Sequence, residues 1–309
     1  MPTRYPSTMP KHAISIIGAG RVGRALGRRL HERGWKIHAI VTRTEAAARR
    51  AVRSIGGGCP YTEISQTVFS APVILICVPE SAIPGVATRL ASFGEDELRK
   101  KIVLHTSGAL SSGILAELRS LGAEIGSIHP LQTFSGIGVP DLEGKVFAIE
   151  GDFAALRVAR GIARTLGGQP VQLGATTKPL YHAAAVLAAG HLLALQETAV
   201  QMFAGLGMKR REALKALLSL ARQTLDNLER LGPRAAWTGP LARGDYAVIA
   251  LHEDALHASP VEYLHAYRAL NSLAARVLAR DSDSTLRELA RISAKNGSGS
   301  QSKVRGAST

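Results

Sequence analysis

Two regimes of hydrophobic patterning meet near residue 174. Before it, short apolar runs alternate with segments whose apolar side chains recur every three or four positions. The runs Ala13–Ile17, Lys36–Val41, Pro72–Val78, Ile102–His105, Glu124–Ile128, Val146–Glu150 and Val171–Leu173 have strand length, and polar or Gly/Pro clusters bound them. Between them, Val22–Arg33, Glu45–Arg53, Ser111–Leu121 and Asp152–Leu166 carry the helical period. The run PVILICV at Pro72–Val78 is apolar throughout, as a parallel strand covered by helices on both faces must be. This alternation predicts an α/β domain over residues 12–174, built on a mainly parallel sheet.

After residue 174 no strand signal remains. Thr177-Lys178-Pro179 opens a helix, with proline in the first turn, where its missing N–H costs nothing. From Leu180 to Phe203 the run is apolar on nearly every face, which predicts a central, buried helix. Amphipathic stretches follow at Arg210–Arg230 and Pro260–Leu278, with Asp245–His257 helical between them. The segment WTGPLARGD, Trp237–Asp245, is too rich in Gly and Pro for helix. An all-helical domain is therefore expected over 175–292, with disordered tails over 1–11 and 293–309.

Composition narrows the class. A chain of 309 residues with 46% apolar positions supports two domains with real cores. Two cysteines make no disulfide framework, which points to a reducing, cytoplasmic setting. The first residues contain no apolar signal core, and the run Ala183–Leu195 falls short of the ~20 residues of a membrane span and holds His191. No membrane association is expected. The net charge of +14 raises nucleic acid as a partner, but the arginines are scattered through helices without interleaved aromatics or a recognition motif. Attraction of a small anionic metabolite is the more economical use of the charge.

The strand Ala13–Ile17 runs straight into G-x-G-x-x-G at Gly18, Gly20 and Gly23, and a helix opens at Arg21 and Val22. The three glycines suit a tight turn, close approach of a pyrophosphate, and close packing of helix on strand; the helix start supplies unpaired N–H groups. The second strand ends in Thr42-Arg43-Thr44. A carboxylate there would bind the ribose 2′-hydroxyl of NAD, whereas Arg43 with hydroxyls suits the 2′-phosphate of NADP. NADP is accordingly the expected cofactor, with NAD the lesser alternative.

Ligands of open α/β sheets bind beyond the carboxyl ends of the strands. Val78-Pro79-Glu80-Ser81, His105–Gly108 and His129–Gln132 all fall at such ends. Lys178 and His182 lie four apart on one face of the helix that follows the sheet. They are either site groups or a surface cation and a satisfied core imidazole, and the convergent strand ends favour a site. His191, half a turn off that face, stands apart. Arg243 either holds a substrate carboxylate or pairs locally with Asp245. The cysteines lack metal spacing, and no G-x-S-x-G surrounds Ser107, so a structural metal and a serine hydrolase are not expected.

The motifs GAGRVG, ICVPESAI, HTSGALSS, SIHPLQTF, KPLYHAAAV and TGPLARGD, in this order, carry a family resemblance. The chain resembles proteins that join a Rossmann-like domain to a domain of unknown function numbered 2520. These are related to pyrroline-5-carboxylate reductases, ketopantoate reductases and the 6-phosphogluconate dehydrogenase group. The resemblance implies an NAD(P)-dependent oxidoreductase whose second domain is of the 6-phosphogluconate dehydrogenase C-terminal kind and forms a homodimer. It supplies no substrate. Relatives carry Ser-Asn where this chain has Gly190-His191.

These lines combine into one expectation. NADPH lies across Gly18–Gly23 and Arg43, with Val78, Pro79, Ser107 and Gly108 lining the nicotinamide side. Lys178 or His182 donates the proton, and His129, Gln132, Thr238 and Arg243 orient a small carboxylate-bearing carbonyl, such as a ketopantoate-like 2-oxo acid, or an imine. The alternative from another class is a dinucleotide-binding redox sensor or assembly protein that reduces nothing.

Overall fold

The computed structural model describes residues 12–305, and the chain divides into two compact units with the break between His191 and Leu192. The first unit is built on one eight-stranded sheet: β1 (Ala13–Ile17), β2 (Lys36–Val41), β3 (Cys59–Tyr61), β4 (Val73–Ile76), β5 (Ile102–His105), β6 (Glu124–Pro130), β7 (Val146–Gly151) and β8 (Gln169–Gln172). Their order is β3-β2-β1-β4-β5-β6-β7-β8, reversing direction of travel after β3 and returning past β1. Every neighbouring pair is parallel except β6 and β7. The helices of this unit are α1 (Arg21–Glu32), α2 (Glu45–Ile55), α3 (Ile83–Ala91), α4 (Glu95–Leu98), α5 (Ala116–Ser120), α6 (Phe153–Thr165) and α7 (Lys178–Val186).

The central strands form because their residues are mostly β-branched or apolar and lose water on both faces. All five residues of β1 and all four of β4 are buried. One face packs Ile14, Ile16 and Leu75 with Leu26, Leu30 and Ile55 of α1 and α2; the other packs Ile17, Ile74 and Ile76 with Ile83, Ala87 and Leu90 of α3. Each such side chain contributes about 1.5–3 kcal/mol. This rigid sandwich fixes where the strand ends lie.

The second unit contains α8 (Leu192–Gly205), α9 (Arg210–Leu231), α10 (Pro233–Ala236), α11 (Pro240–Arg243), α12 (Tyr246–Leu256), α13 (Val261–Val277) and α14 (Ser282–Arg305). Leu241, Ile249, Ala275 and Leu289 form its small core, with Trp237 and Tyr246 packed against it. A buried carboxylate, Glu253, is held by the Arg268 fork at 2.6 and 2.9 Å.

Four expectations need correction. The unit boundary falls after His191 rather than at Gly174, because Lys178 is buried against Ser107 and Ser127 and draws α7 into the first unit. The long apolar helix is not buried: Leu180 is 77% exposed, Leu187 59% and Leu193 70%. Its apolar character all round reflects a surface that this single chain leaves uncovered. Within WTGPLARGD, residues Pro240–Arg243 do make a helical turn, started by proline and stopped by Gly244 in the left-handed region at φ +74°. Finally, α14 runs to Arg305 through the stretch expected to be disordered, its start anchored by Leu289 and Ile292 in the core and by Ser293, whose hydroxyl donates to Glu253. The tail over 1–11 and residues 306–309 lie outside the described residues.

Candidate active site

The turn after β1 opens onto a cavity of about 1260 Å³, bounded by the ends of β1, β2 and β4. Gly18 sits at φ +88°, and a Cβ there would lie 2.6 Å from Val78 Cγ1 and 2.8 Å from Cys77 O. A Cβ on Gly23 would lie 2.5 Å from Gly18 O, so only glycine lets α1 pack this closely. At Gly20, by contrast, an added Cβ meets nothing within 4 Å. Gly20 faces open space, into which the first turn of α1 points its N–H groups without an acidic side chain beside them. That cradle fits the pyrophosphate of a dinucleotide.

At the end of β2, Thr42, Arg43, Thr44 and Arg50 line the same cavity. Thr44 caps α2, accepting from Ala47 N at 3.3 Å, while Arg43 is exposed with no hydrogen bond among the described residues. Glu63 is the one carboxylate lining the cavity. The β4 end brings Cys77, Val78, Pro79 and Ser81 to its wall, and Glu80 between them accepts from the Ser107 hydroxyl.

Through that bond the cavity adjoins a cluster of polar side chains beyond β5 and β6. Lys178 is 1% exposed, yet its ammonium donates to Ser107 O at 3.0 Å and Ser127 Oγ at 2.5 Å. Ser127 in turn donates to Glu150, which also accepts from the Ser112 backbone N–H and hydroxyl, each at 2.7 Å. Burial pulls the Lys178 pKa down to about 8, against the Glu150 and Glu80 carboxylates, which favour its charge.

Three imidazoles surround this core. His105 is fully buried; its Nδ1 accepts from Ser107 N at 3.2 Å, so Nε2 carries the hydrogen and donates to Ser111 O at 3.2 Å. Burial, seconded by the Lys178 charge, drops its pKa to about 3. His129 shares a 2.9 Å hydrogen bond between Nδ1 and the Tyr181 hydroxyl and meets the His182 ring edge-on at 5.7 Å. Burial, then His182 and Lys178, lower its pKa to about 4, and burial raises that of Tyr181 to about 12. Gly108 completes the cluster: a Cβ there would reach within 2.5 Å of His182 Cδ2 and 2.9 Å of His129 Nε2. Two half-buried imidazoles thus face a backbone stripped of its side chain.

The structure therefore brings Val78 and Pro79 to the cavity wall beside Gly18 and gathers Ser107, Gly108, His129, Lys178 and His182 into one cluster, the two joined by the Ser107–Glu80 bond. Arg21 lies along the loop after β6, its side chain beside Gly136. Gln132 is bonded within its own loop: its Nε2 donates to Asp141 O and its Oε1 accepts from Thr133 N. Thr238 and Arg243 belong to the helical unit, where Arg243 pairs with Asp245 at 2.9 Å, the local alternative read from the sequence. Glu80, Ser127, Glu150 and Tyr181 were not singled out. Tyr181 stood in the KPLYH motif; the antiparallel β7 places Glu150 opposite Ser127, and the missing helical pattern between β6 and β7 was its signal.

Two family models match the chain: a Rossmann-like domain over residues 4–130 and the domain of unknown function DUF2520 over 145–274. The protein is a Rossmann-like protein carrying a DUF2520 domain, as the motifs implied. Among curated proteins none matches. A candidate NADP oxidoreductase from Bacteroides fragilis is 22% identical, with a TM-score of 0.70 over 84% of this chain and 96% of that one. A Thermotoga maritima protein is 26% identical, with a TM-score of 0.62 over 84% and 98%. A reductive aminase from Aspergillus terreus, crystallised with NADPH and ethyl-5-oxohexanoate, is 17% identical, with a TM-score of 0.60 over 94% and 95%.

Proposed function

We propose that the protein is an NADP(H)-dependent oxidoreductase that reduces a small carboxylate-bearing carbonyl, of the 2-oxo acid kind, or the corresponding imine. The observation that carries this reading is the junction of two features within one unit: a glycine turn open only at Gly20, and an imidazole cluster facing the bare backbone of Gly108. The fold shared with the reductive aminase and the B. fragilis protein supports it.

Gly18–Gly23 hold the pyrophosphate, and Arg43, flanked by Thr42 and Thr44, takes the 2′-phosphate. When bound, the nicotinamide supplies hydride. Reduction builds negative charge on the acceptor oxygen or nitrogen, so a proton must arrive there. His182 is the donor in this reading, because its ring lies over Gly108 without the hydrogen bonds that engage its neighbours. His129, tethered by Tyr181, aligns the His182 ring and the substrate. Lys178 acts as a positioning residue: its ammonium holds the β5 loop through Ser107 O and shifts neighbouring imidazoles toward the neutral form. The protein works as a homodimer, a reading supported by the apolar side chains that the helices leave exposed.

Stopped-flow absorbance of NADPH against a panel of 2-oxo acids and cyclic imines tests this. Saturable oxidation is expected with at least one, and His182→Ala should lower kcat by roughly 10²-fold or more while NADPH affinity holds. Tight NADPH binding with no oxidation across the panel would replace the enzyme with a sensor of the dinucleotide.

A further inference from the structure

We propose that the helical unit carries its own binding pocket for a small organic anion with an apolar body, such as an aryl or branched-chain phosphate or carboxylate. The pocket is a cavity of about 700 Å³ within that unit, in the range of small-molecule sites. Three guanidinium groups line it, those of Arg234, Arg243 and Arg280. One carboxylate lines it, that of Asp281, which accepts from Ser284 N at 2.9 Å at the start of α14, and Arg243 is paired with Asp245 outside the lining. Arg234 and Arg280 have no hydrogen bond or ion pair among the described residues. Arg234 and Arg280, on one cavity and with no bonded carboxylate, present planar donor forks suited to a carboxylate or phosphate.

Much of the remaining wall is apolar, from Trp237, Leu241, Tyr246 and Leu278, with Thr285 and Asp281 beside them. Trp237 and Tyr246 are half-buried, packed against the core to which Leu241 and Ile249 belong, and both line the cavity. Free anions such as inorganic phosphate would use the arginines and leave these rings wet, whereas an anion attached to an apolar group uses both. The pocket lies within the helical unit and is independent of the oxidoreductase reading.

The chain has two tryptophans, and Trp35 lies in the core of the first unit, so Trp35→Phe leaves Trp237 as sole reporter in the full-length protein. Phenyl phosphate should perturb Trp237 emission saturably, and at least tenfold more tightly than inorganic phosphate, with benzyl alcohol without effect. Arg280→Gln and Arg234→Gln, exposed and unpaired and so without a folding penalty, should each weaken phenyl phosphate about tenfold. Saturating NADP⁺ should leave the titration unchanged. A linear, non-saturating response, insensitivity to both arginine variants, or displacement by NADP⁺ would each overturn the proposal. Loss of NADPH oxidation alone would not touch it.

Discussion

At the scale of single residues, the site is dominated by charge management around one buried ammonium. Lys178 keeps its ammonium buried only because Ser107 O and Ser127 Oγ accept from it and Glu150 stands one hydroxyl further on. Burial first, then the Lys178 charge and for His129 also His182, leave His105 and His129 neutral, with pKa values near 3 and 4. In the unfolded chain both return to about 6.5. Between about pH 6.5 and 4 the unfolded state therefore binds protons that the native state refuses, and stability must fall as the pH is lowered through that window. Each histidine contributes a slope of up to about 1.4 kcal/mol per pH unit. Protonating His105 at Nδ1 would also set a donor against the Ser107 N–H that it now accepts from. Urea unfolding at intervals from pH 7 to 5, above most carboxylate titrations, should show this decline. His129→Gln should flatten the profile by one histidine's share, and an unchanged slope in that variant would remove His129 from the account. Gly108→Ala probes the same cluster by volume: its methyl would push into the His182 ring, so kcat should drop at least tenfold with NADPH affinity unchanged.

At the scale of elements, the β1–turn–α1 unit makes two kinds of demand on glycine, and they separate experimentally. Gly18→Ala places a side chain at φ +88° and against Val78 and the Cys77 backbone, which should destabilise the fold by roughly 1–3 kcal/mol. Gly20 has φ −72° and open space around it, so Gly20→Ala should leave the melting temperature nearly unchanged and still weaken NADPH tenfold or more, because the methyl occupies the approach of the pyrophosphate. Calorimetry paired with fluorescence titration reads both; equal loss of stability in the two variants would refute a ligand role for Gly20. This element was legible in the sequence because strand, glycine spacing and helix are all local signals. So were the ends of β4 and β5, where apolar runs stop at polar residues. The Ser127–Glu150 pair was not, since it depends on β7 running antiparallel to β6, a register that no window of either strand reveals alone. The boundary of the units was equally hidden: Lys178 binds backward into the sheet, and the π-turn Leu187–His191 breaks the ~100° count that separated His191 from the Lys178 face.

At the scale of the whole molecule, the helical unit is short of core. From Leu192 onward only Val200, Ala213, Leu241, Ile249, Leu264, Ala275 and Leu289 are buried apolar side chains among the described residues. Meanwhile Leu193, Leu206, Leu220, Leu225, Leu251 and Val277 are half or more exposed. Helical periodicity could not tell a helix buried in its own chain from one awaiting a cover, which is why Leu180–Phe203 read as internal. The stretch Ala175–Gly205 is long and apolar enough, by length and composition, to cross a membrane, and only 6% of its apolar window is buried. A second copy would cover such helices without placing Glu197 and the Arg210 that forks it into hydrocarbon, where charged groups cost several kcal/mol. An obligate interface of this apolar kind buries more than about 2,000 Å². Sedimentation velocity in detergent-free buffer should accordingly give a single species near twice the chain mass of 32.7 kDa, unchanged on dilution through the micromolar range. Leu193→Arg with Leu220→Arg should shift it to monomer or precipitate it, while the β-sheet unit keeps its affinity for NADPH. A monodisperse 32.7 kDa species, or wild-type protein that sediments only with lipid vesicles, would show that these leucines face something other than their own kind.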